Sequence, residues 1–209
     1  MRERPILFNA DMVSAVLDGR KTQTRRIIQE RHLYSGGRTA GNWPVHMPEG
    51  EEGEKARLWA ESNSPFGAVG DRLWVRESFY EHGHWQGGGY DPEDSYFVSD
   101  KQVLYPADGI QRPSERKRED FWRSRPSIHM PRWASRITLE ITGVRVERLR
   151  DLSEEDAKSE GVIPPAGGVL PGWEHRINFR DLWMSIYGAD NWEANPWVWV
   201  VEFKRLEVE

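Results

Sequence analysis

Leu17-Asp18-Gly19-Arg20-Lys21-Thr22-Gln23-Thr24-Arg25-Arg26 joins a helical pattern to an extended one, and the fold turns on how it is read. Upstream, Val13, Val16 and Leu17 recur at i, i+3 and i+4 with Asn9 as N-cap, which predicts a short amphipathic helix. Gly19 stands where a left-handed C-terminal cap is expected. Downstream, residues 22–28 read as a strand. The junction carries Arg20, Lys21, Arg25 and Arg26 around Thr22 and Thr24, with no carboxylate after Asp18. Such a cluster of cations beside hydroxyls suits an anionic or carbonyl-bearing ligand. A solvated edge strand with a basic face is the structural alternative.

Working outward, residues 5–8 form a first short strand. Periodicity fails from 29 to 70, where Gly-, Pro- and charge-rich segments indicate an insertion. After the Gly70-Asp71 turn signal, residues 72–81 read as one strand with Leu73, Val75 and Phe79 on a core face that also carries Glu77. Arg72, Trp74, Arg76 and Tyr80 make a basic-aromatic face suited to a ligand wall. Residues 83–89 read as a flexible loop, 96–105 as a small hairpin around Ser99-Asp100, and 110–125 as irregular. Over 135–149 the apolar phase flips at Gly143, from Ile137, Leu139 and Ile141 to Val144 and Val146, which signals a bulge or barrel corner. Ser153 caps a short helix with acids in its first turn, ended by Gly161. Phe179, Leu182, Trp183, Ile186 and Tyr187 define a second amphipathic helix, stopped by Gly188. Residues 197–206 begin apolar on both faces, the mark of a central, covered strand. The expected architecture is a single α+β domain over 1–209: a small β-barrel with short flanking helices and insertions at about 29–70, 82–134 and 162–172.

The 209 residues are 37% apolar and include eleven Trp, enough for a packed, aromatic-rich core. A net charge of −5 rules out a chain-wide nucleic-acid coat, so such binding must rest on a local patch. With no Cys, disulfides, thiolate zinc sites and a Cys nucleophile are excluded. Met1-Arg2-Glu3-Arg4-Pro5 lacks a signal-peptide apolar run, and no stretch of about 18 apolar residues occurs, so a cytoplasmic protein without membrane association is expected. A monomer is the default expectation.

Gly19–Thr24 (GRKTQT), Gly70–Val75 (GDRLWV), Leu152–Gly161 (LSEEDAKSEG) and Val201–Lys204 (VEFK) stand in the order and context seen in ASCH-domain proteins, a branch of the PUA-like superfamily. The resemblance covers the strand and helix core, about half the chain, and the insertions resemble those of longer phage-type relatives. It implies a PUA-like barrel whose cleft handles RNA or a modified nucleoside. Some small ASCH proteins are amidohydrolases that remove the acetyl group of N4-acetylcytidine. By resemblance, Lys21 is the proton acceptor, Thr24 the nucleophile and Glu160 the proton donor, with no metal or organic cofactor. Arg20, Arg25, Arg26, Trp74, Arg76 and Glu77 are then the expected substrate-binding residues. A non-catalytic RNA or modified-base reader is the alternative, and a ribonuclease the third option.

These roles set physical conditions. A hydroxyl nucleophile needs an adjacent base, and lysine serves only when its pKa falls well below about 10.4. Arg20, Arg25 and Arg26 supply like-charge pressure in that direction, and burial adds to it. A carboxylate in a last helical turn is disfavoured as an anion, which suits Glu160 as an acid. Because strand alternation sends Lys21 and Thr24 to opposite faces, Lys21 must lie in the turn before the strand.

A second candidate surface joins Trp122, Arg123 and Arg125 to Arg132, Trp133 and Arg136, where aromatics among arginines suit stacked bases and phosphates. His82 and His84 lack a third ligand at metal-site spacing, Glu202-Phe203-Lys204 lacks an upstream acidic partner, and the Gly87–Gly89 run opens no helix.

Overall fold

The computed structural model describes residues 1–28, 34–35, 38–39, 58, 62–87, 95–114, 120–164 and 174–207. Most of the 29–70 and 162–172 insertions, and Gly88 and Gly89, lie outside the described residues.

Five strands form the main sheet: β1 (Glu3–Leu7), β2 (Gln23–Ile27), β5 (Arg72–Arg76), β9 (Thr138–Arg148) and β10 (Trp197–Leu206), in the order β1-β5-β9-β10-β2. β1 runs parallel to β5, and the other pairings are antiparallel. The two-residue strands β3 (Tyr34–Ser35) and β4 (Arg38–Thr39) pair with each other. A second sheet, β7-β6-β8, is built from β6 (Phe79–Gln86), β7 (Tyr96–Leu104) and β8 (Asp120–Arg125). The helices are α1 (Ala10–Leu17), α2 (Glu154–Ser159), α3 (Glu174–Tyr187) and α4 (Ala189–Glu193). None is long and apolar enough to cross a membrane.

β10 lies between β9 and β2 and is apolar on both faces. Trp199, Val201 and Phe203 join Ile6, Phe8, Leu73, Val75, Leu139 and Ile141 in the core beneath α1. Val198 and Val200 face the other way, onto Leu152, Ala157, Phe179 and Trp183 of the α2–α3 layer. The Gly143 phase flip is a bulge: Glu202 pairs with Gly143 and Phe203 with Ile141, so exposed Thr142 is the extra residue. A Cβ on Gly143 would stand 2.5 Å from Glu202 Oε2.

Three expectations are corrected. The five-strand sheet is open, because no ladder joins β1 to β2 among the described residues. Phe8 N donates to the Arg76 carbonyl, so strand alternation turns Pro5 and Leu7 toward the free edge, and Pro5 has no N–H to give there. Arg26 Nη2 spans the gap instead, donating to the Leu7 carbonyl at 2.8 Å. Residues 72–81 are not one strand: the chain leaves the main sheet at Glu77-Ser78, where Glu77 turns to Arg136, and enters the second sheet at Phe79. Finally, the described part of 82–134 is not loop decoration: residues 82–86, 96–104 and 120–125 build that sheet, with β6 in continuous register against β8 through Gly83, where a Cβ would meet the Val98 carbonyl at 2.1 Å.

Gly161, past the end of α2, holds φ +83°, and a Cβ there would lie 2.8 Å from the Cβ atoms of Ala15 and Lys21. Gly161→Ala is therefore expected to cost about 2–3 kcal/mol, through left-handed strain and overpacking together. The readout is a lower urea midpoint at unchanged m value. An unshifted midpoint contradicts this packing of α1, Lys21 and α2.

Candidate functional site

The Lys21 segment is pinned from three sides. Lys21 N donates to the Ala15 carbonyl at the end of α1, and Thr22 N to Ser159 O at the end of α2. Phe203 N of β10 donates to Thr22 O. Lys21 thus precedes β2, as strand alternation requires, and forms an isolated bridge with Glu160. α2 forms because Ser153 and Asp156 complete a capping box, and Glu160 is its C-cap residue.

These two ends bring Lys21 and Glu160 together across 139 residues of sequence. Lys21 Nζ donates to Glu160 Oε2 at 2.7 Å and to the Glu160 carbonyl at 2.9 Å. Arg25 Nη1 donates to Glu160 Oε1 at 3.2 Å, so one carboxylate is held by two cations. All three side chains are buried: Lys21 is 3% exposed, Arg25 2% and Glu160 6%. Burial pushes the Lys21 ammonium below the ordinary lysine value; the Glu160 carboxylate opposes that shift, while Arg26 and Arg25 add to it. Arg20 plays no such part, because it donates to Asp18 and to the Gly161 carbonyl.

Thr24, 1% exposed, Arg25 and Glu160 wall the same cavity of about 20 Å³, with Met12, Arg26 and the α3 residues Phe179, Leu182, Trp183, Ile186 and Tyr187 completing its lining. That is room for one water-sized group. Two clefts adjoin it. One of about 320 Å³ shares Glu160, Met12 and Leu182 with it and is also lined by Arg20 and Asn178. The other, of about 690 Å³, lies between β1 and β2, shares Met12, Arg26, Ile186 and Tyr187, and is also lined by Arg76 and Phe66.

Of the expected substrate-binding residues, Arg26 and Arg76 line the large cleft and Arg20 the smaller one. Arg25 lines the small Thr24–Glu160 cavity, with its buried side chain held by Glu147, Asp156 and Glu160. Trp74 packs against Phe79, Met130 and Ala134, between the guanidinium groups of Arg76 and Arg132. Glu77 is buried in a two-pronged pair with Arg136, at 3.0 and 3.1 Å; burial raises its carboxyl pKa, against the pull of Arg136.

In the second candidate surface, carboxylates from elsewhere meet the charge excess. Arg123 pairs with Glu81 at 2.7 Å and lies over Phe97, and Arg125 stands 3.6 Å from Glu81. Arg132 pairs with Glu3, and Arg136 with Glu77 and Asp108. Trp122 packs on His82, whereas Trp133 is 45% exposed. His82 Nδ1 stands 2.7 Å from Asp100, and no group of three or more metal-ligating side chains is placed to hold an ion among the described residues.

Sequence reasoning missed the second layer around Glu160. Arg145 pairs with Glu147, Asp156 and Glu202, and Gln23 Nε2 donates to both the carbonyl and the carboxylate of Asp156. The available signal was alternation: Gln23 and Arg25 on β2 and Arg145 and Glu147 on β9 are i, i+2 pairs, each sharing a sheet face.

The chain matches no family model, no curated protein and no solved structure.

Burial pushes the Asp156 carboxyl up, but hydrogen bonds from Ser153 and Gln23 and the charges of Arg25 and Arg145 outweigh it and hold the group at about 2. A folded-state value below the unfolded value of about 3.9 stabilises the fold above that pH and ceases to do so as pH falls through about 2. Asp156→Asn is expected to flatten the loss of stability over that acid interval in pH-resolved urea titrations. An acid limb as steep as that of the parent protein contradicts the assignment.

Proposed function

We propose that the chain is an ASCH-type, PUA-like amidohydrolase that removes the N4-acyl group of a cytidine-type base or nucleoside, without metal or organic cofactor. The buried 2.7 Å contact between Lys21 Nζ and Glu160 Oε2 carries this reading. It joins the residues whose assigned tasks are to take up and give back a proton. The cavity shared by Thr24 and Glu160 supplies the third group. The sheet is open between β1 and β2, and Arg26 bridges that gap through the Leu7 carbonyl.

The reaction follows from one mobile proton. Passing it from Lys21 to Glu160 across 2.7 Å yields a neutral amine and a neutral acid, the forms that general base and general acid require. Thr24 Oγ attacks the acyl carbon while its proton goes to Lys21. The C–N bond then breaks as Glu160 gives its proton to the leaving N4. Water, deprotonated in the same way, cleaves the acyl-threonine ester, releases the carboxylic acid and restores Thr24. Desolvation of Lys21 favours the neutral amine at the start.

A second reading rests on the α3 side chains that close over Thr24: a modified-base or RNA reader that binds at the clefts without chemistry. Incubation of purified protein with N4-acetylcytidine separates the two. The expected result is cytidine release, reduced at least about 10³-fold by Lys21→Ala or Thr24→Ala, by analogy with other nucleophile and base deletions. No turnover, or turnover that survives Lys21→Ala, rejects the enzyme. RNA binding that weakens steeply with salt then supports the reader.

A further inference from the structure

We infer that the wide cleft between β1 and β2 is an anion subsite in which Arg26 and Arg76 hold a phosphate group on the substrate. The inference rests on the reading above in naming the substrate class: a nucleotide rather than a free nucleoside.

The cleft between β1 and β2 is lined by two arginines, Arg26 and Arg76, with no Asp or Glu among its described lining residues. Arg25, Arg123, Arg132, Arg136 and Arg145 each pair with at least one carboxylate. Arg26 and Arg76 have none among the described residues; Arg4, Arg148 and Arg205 likewise hold backbone carbonyls, but of these five Arg26 and Arg76 line this cleft. Arg26 Nη2 donates to the Leu7 carbonyl at 2.8 Å, Nη1 stands 3.4 Å from the Arg25 carbonyl, and Cζ lies 5.7 Å from the Phe8 ring centroid. Arg76 Nε donates to the Met130 carbonyl at 3.0 Å, and Cζ lies 5.2 Å from the Trp74 centroid. A guanidinium has five N–H groups, so both retain donors, and each is anchored by backbone and ring before a ligand arrives.

Both arginines are tied to Leu7, Arg76 as its ladder partner and Arg26 through its carbonyl. They line one cleft of about 690 Å³, and both are half-buried beside Leu7, Phe66, Ile186 and Tyr187. Two unneutralised positive charges on an apolar, partly desolvated wall attract an anion more strongly than they would in open solvent. The planar forks of two arginines match the oxygens of a phosphate. Arg26 also walls the Thr24–Glu160 cavity, and so stands at the junction of the two spaces. A base directed toward Thr24 leaves its ribose phosphate in the outer cleft, against the two guanidinium groups.

Calorimetric titration with N4-acetylcytidine, its 5′-monophosphate and a short N4-acetylcytidine-containing RNA tests this on the wild-type protein and reads binding without needing turnover. The expected result is about ten-fold tighter binding of the monophosphate than of the nucleoside, the scale of a charge-assisted hydrogen bond. Inorganic phosphate should compete, and the advantage should disappear in Arg76→Gln or Arg26→Gln. An equal gain for the RNA supports the subsite and assigns it a phosphodiester; a gain confined to the monophosphate supports it and assigns a terminal phosphate. Equal affinity for all three at low salt, or an advantage that persists in both variants, overturns it. Phosphate-dependent binding without deacetylation retains the subsite and removes the amidohydrolase. Deacetylation indifferent to phosphate does the reverse.

Discussion

The structure depends on keeping an amine, a guanidinium and a carboxylate together out of water. Lys21, Arg25 and Glu160 come from the approach to β2, from β2 itself and from the end of α2, and they are among the most deeply buried polar residues described. Moving such charges out of water is costly, and their mutual attraction offsets the cost only when each has its partner. Removing one partner typically costs about 3–5 kcal/mol because the others are left uncompensated. The cluster is therefore less a source of stability than a condition on the fold. β2 must sit beside β10 in one register, and α2 must end where it does, or a buried charge is stranded.

The surroundings meet that condition in layers. Glu147 and Asp156 share Arg25 with Glu160, and Arg145 ties both of them to Glu202 on β10. The network runs from β2 through β9 and α2 to β10, the strand whose two apolar faces join the cores. Above it, Phe179, Trp183 and Tyr187 of α3 stack in series, with ring centroids 5.8 and 4.5 Å apart. The electrostatic layer thus lies beside a row of α3 aromatics, and burial keeps the Lys21–Glu160 interaction strong.

Much of this frame is legible in the chain. Asn9, Gly19, Ser153, Gly161 and Gly188 mark helix boundaries that the structure reproduces, because capping is a local interaction between residues a few positions apart. The two-faced 197–206 strand and the Gly143 bulge are legible for the same reason, since side-chain alternation is intrinsic to a strand. The readings that failed depend on distant partners. Nothing local to Glu77 reveals Arg136, so residues 72–81 read as a single strand. Arg123, Arg132 and Arg136 look free because Glu81, Glu3 and Glu77 lie far from them in sequence. The carboxylates that hold Arg25 are equally remote in sequence: only the folded chain places Glu147, Asp156 and Glu160 around it. The open edge at β1 was foreshadowed by Pro5, whose missing N–H argues against a closed ladder there.

The central claim is that burial makes Lys21 a weaker base for its proton than any solvated lysine, despite its contact with Glu160. The direct measurement is side-chain NMR titration of the six lysines, with the Lys21 resonance identified by its loss in Lys21→Arg. Lys21 is predicted to give up its proton below the ordinary lysine value of about 10.4. A Lys21 resonance that titrates at or above about 10.4 contradicts it.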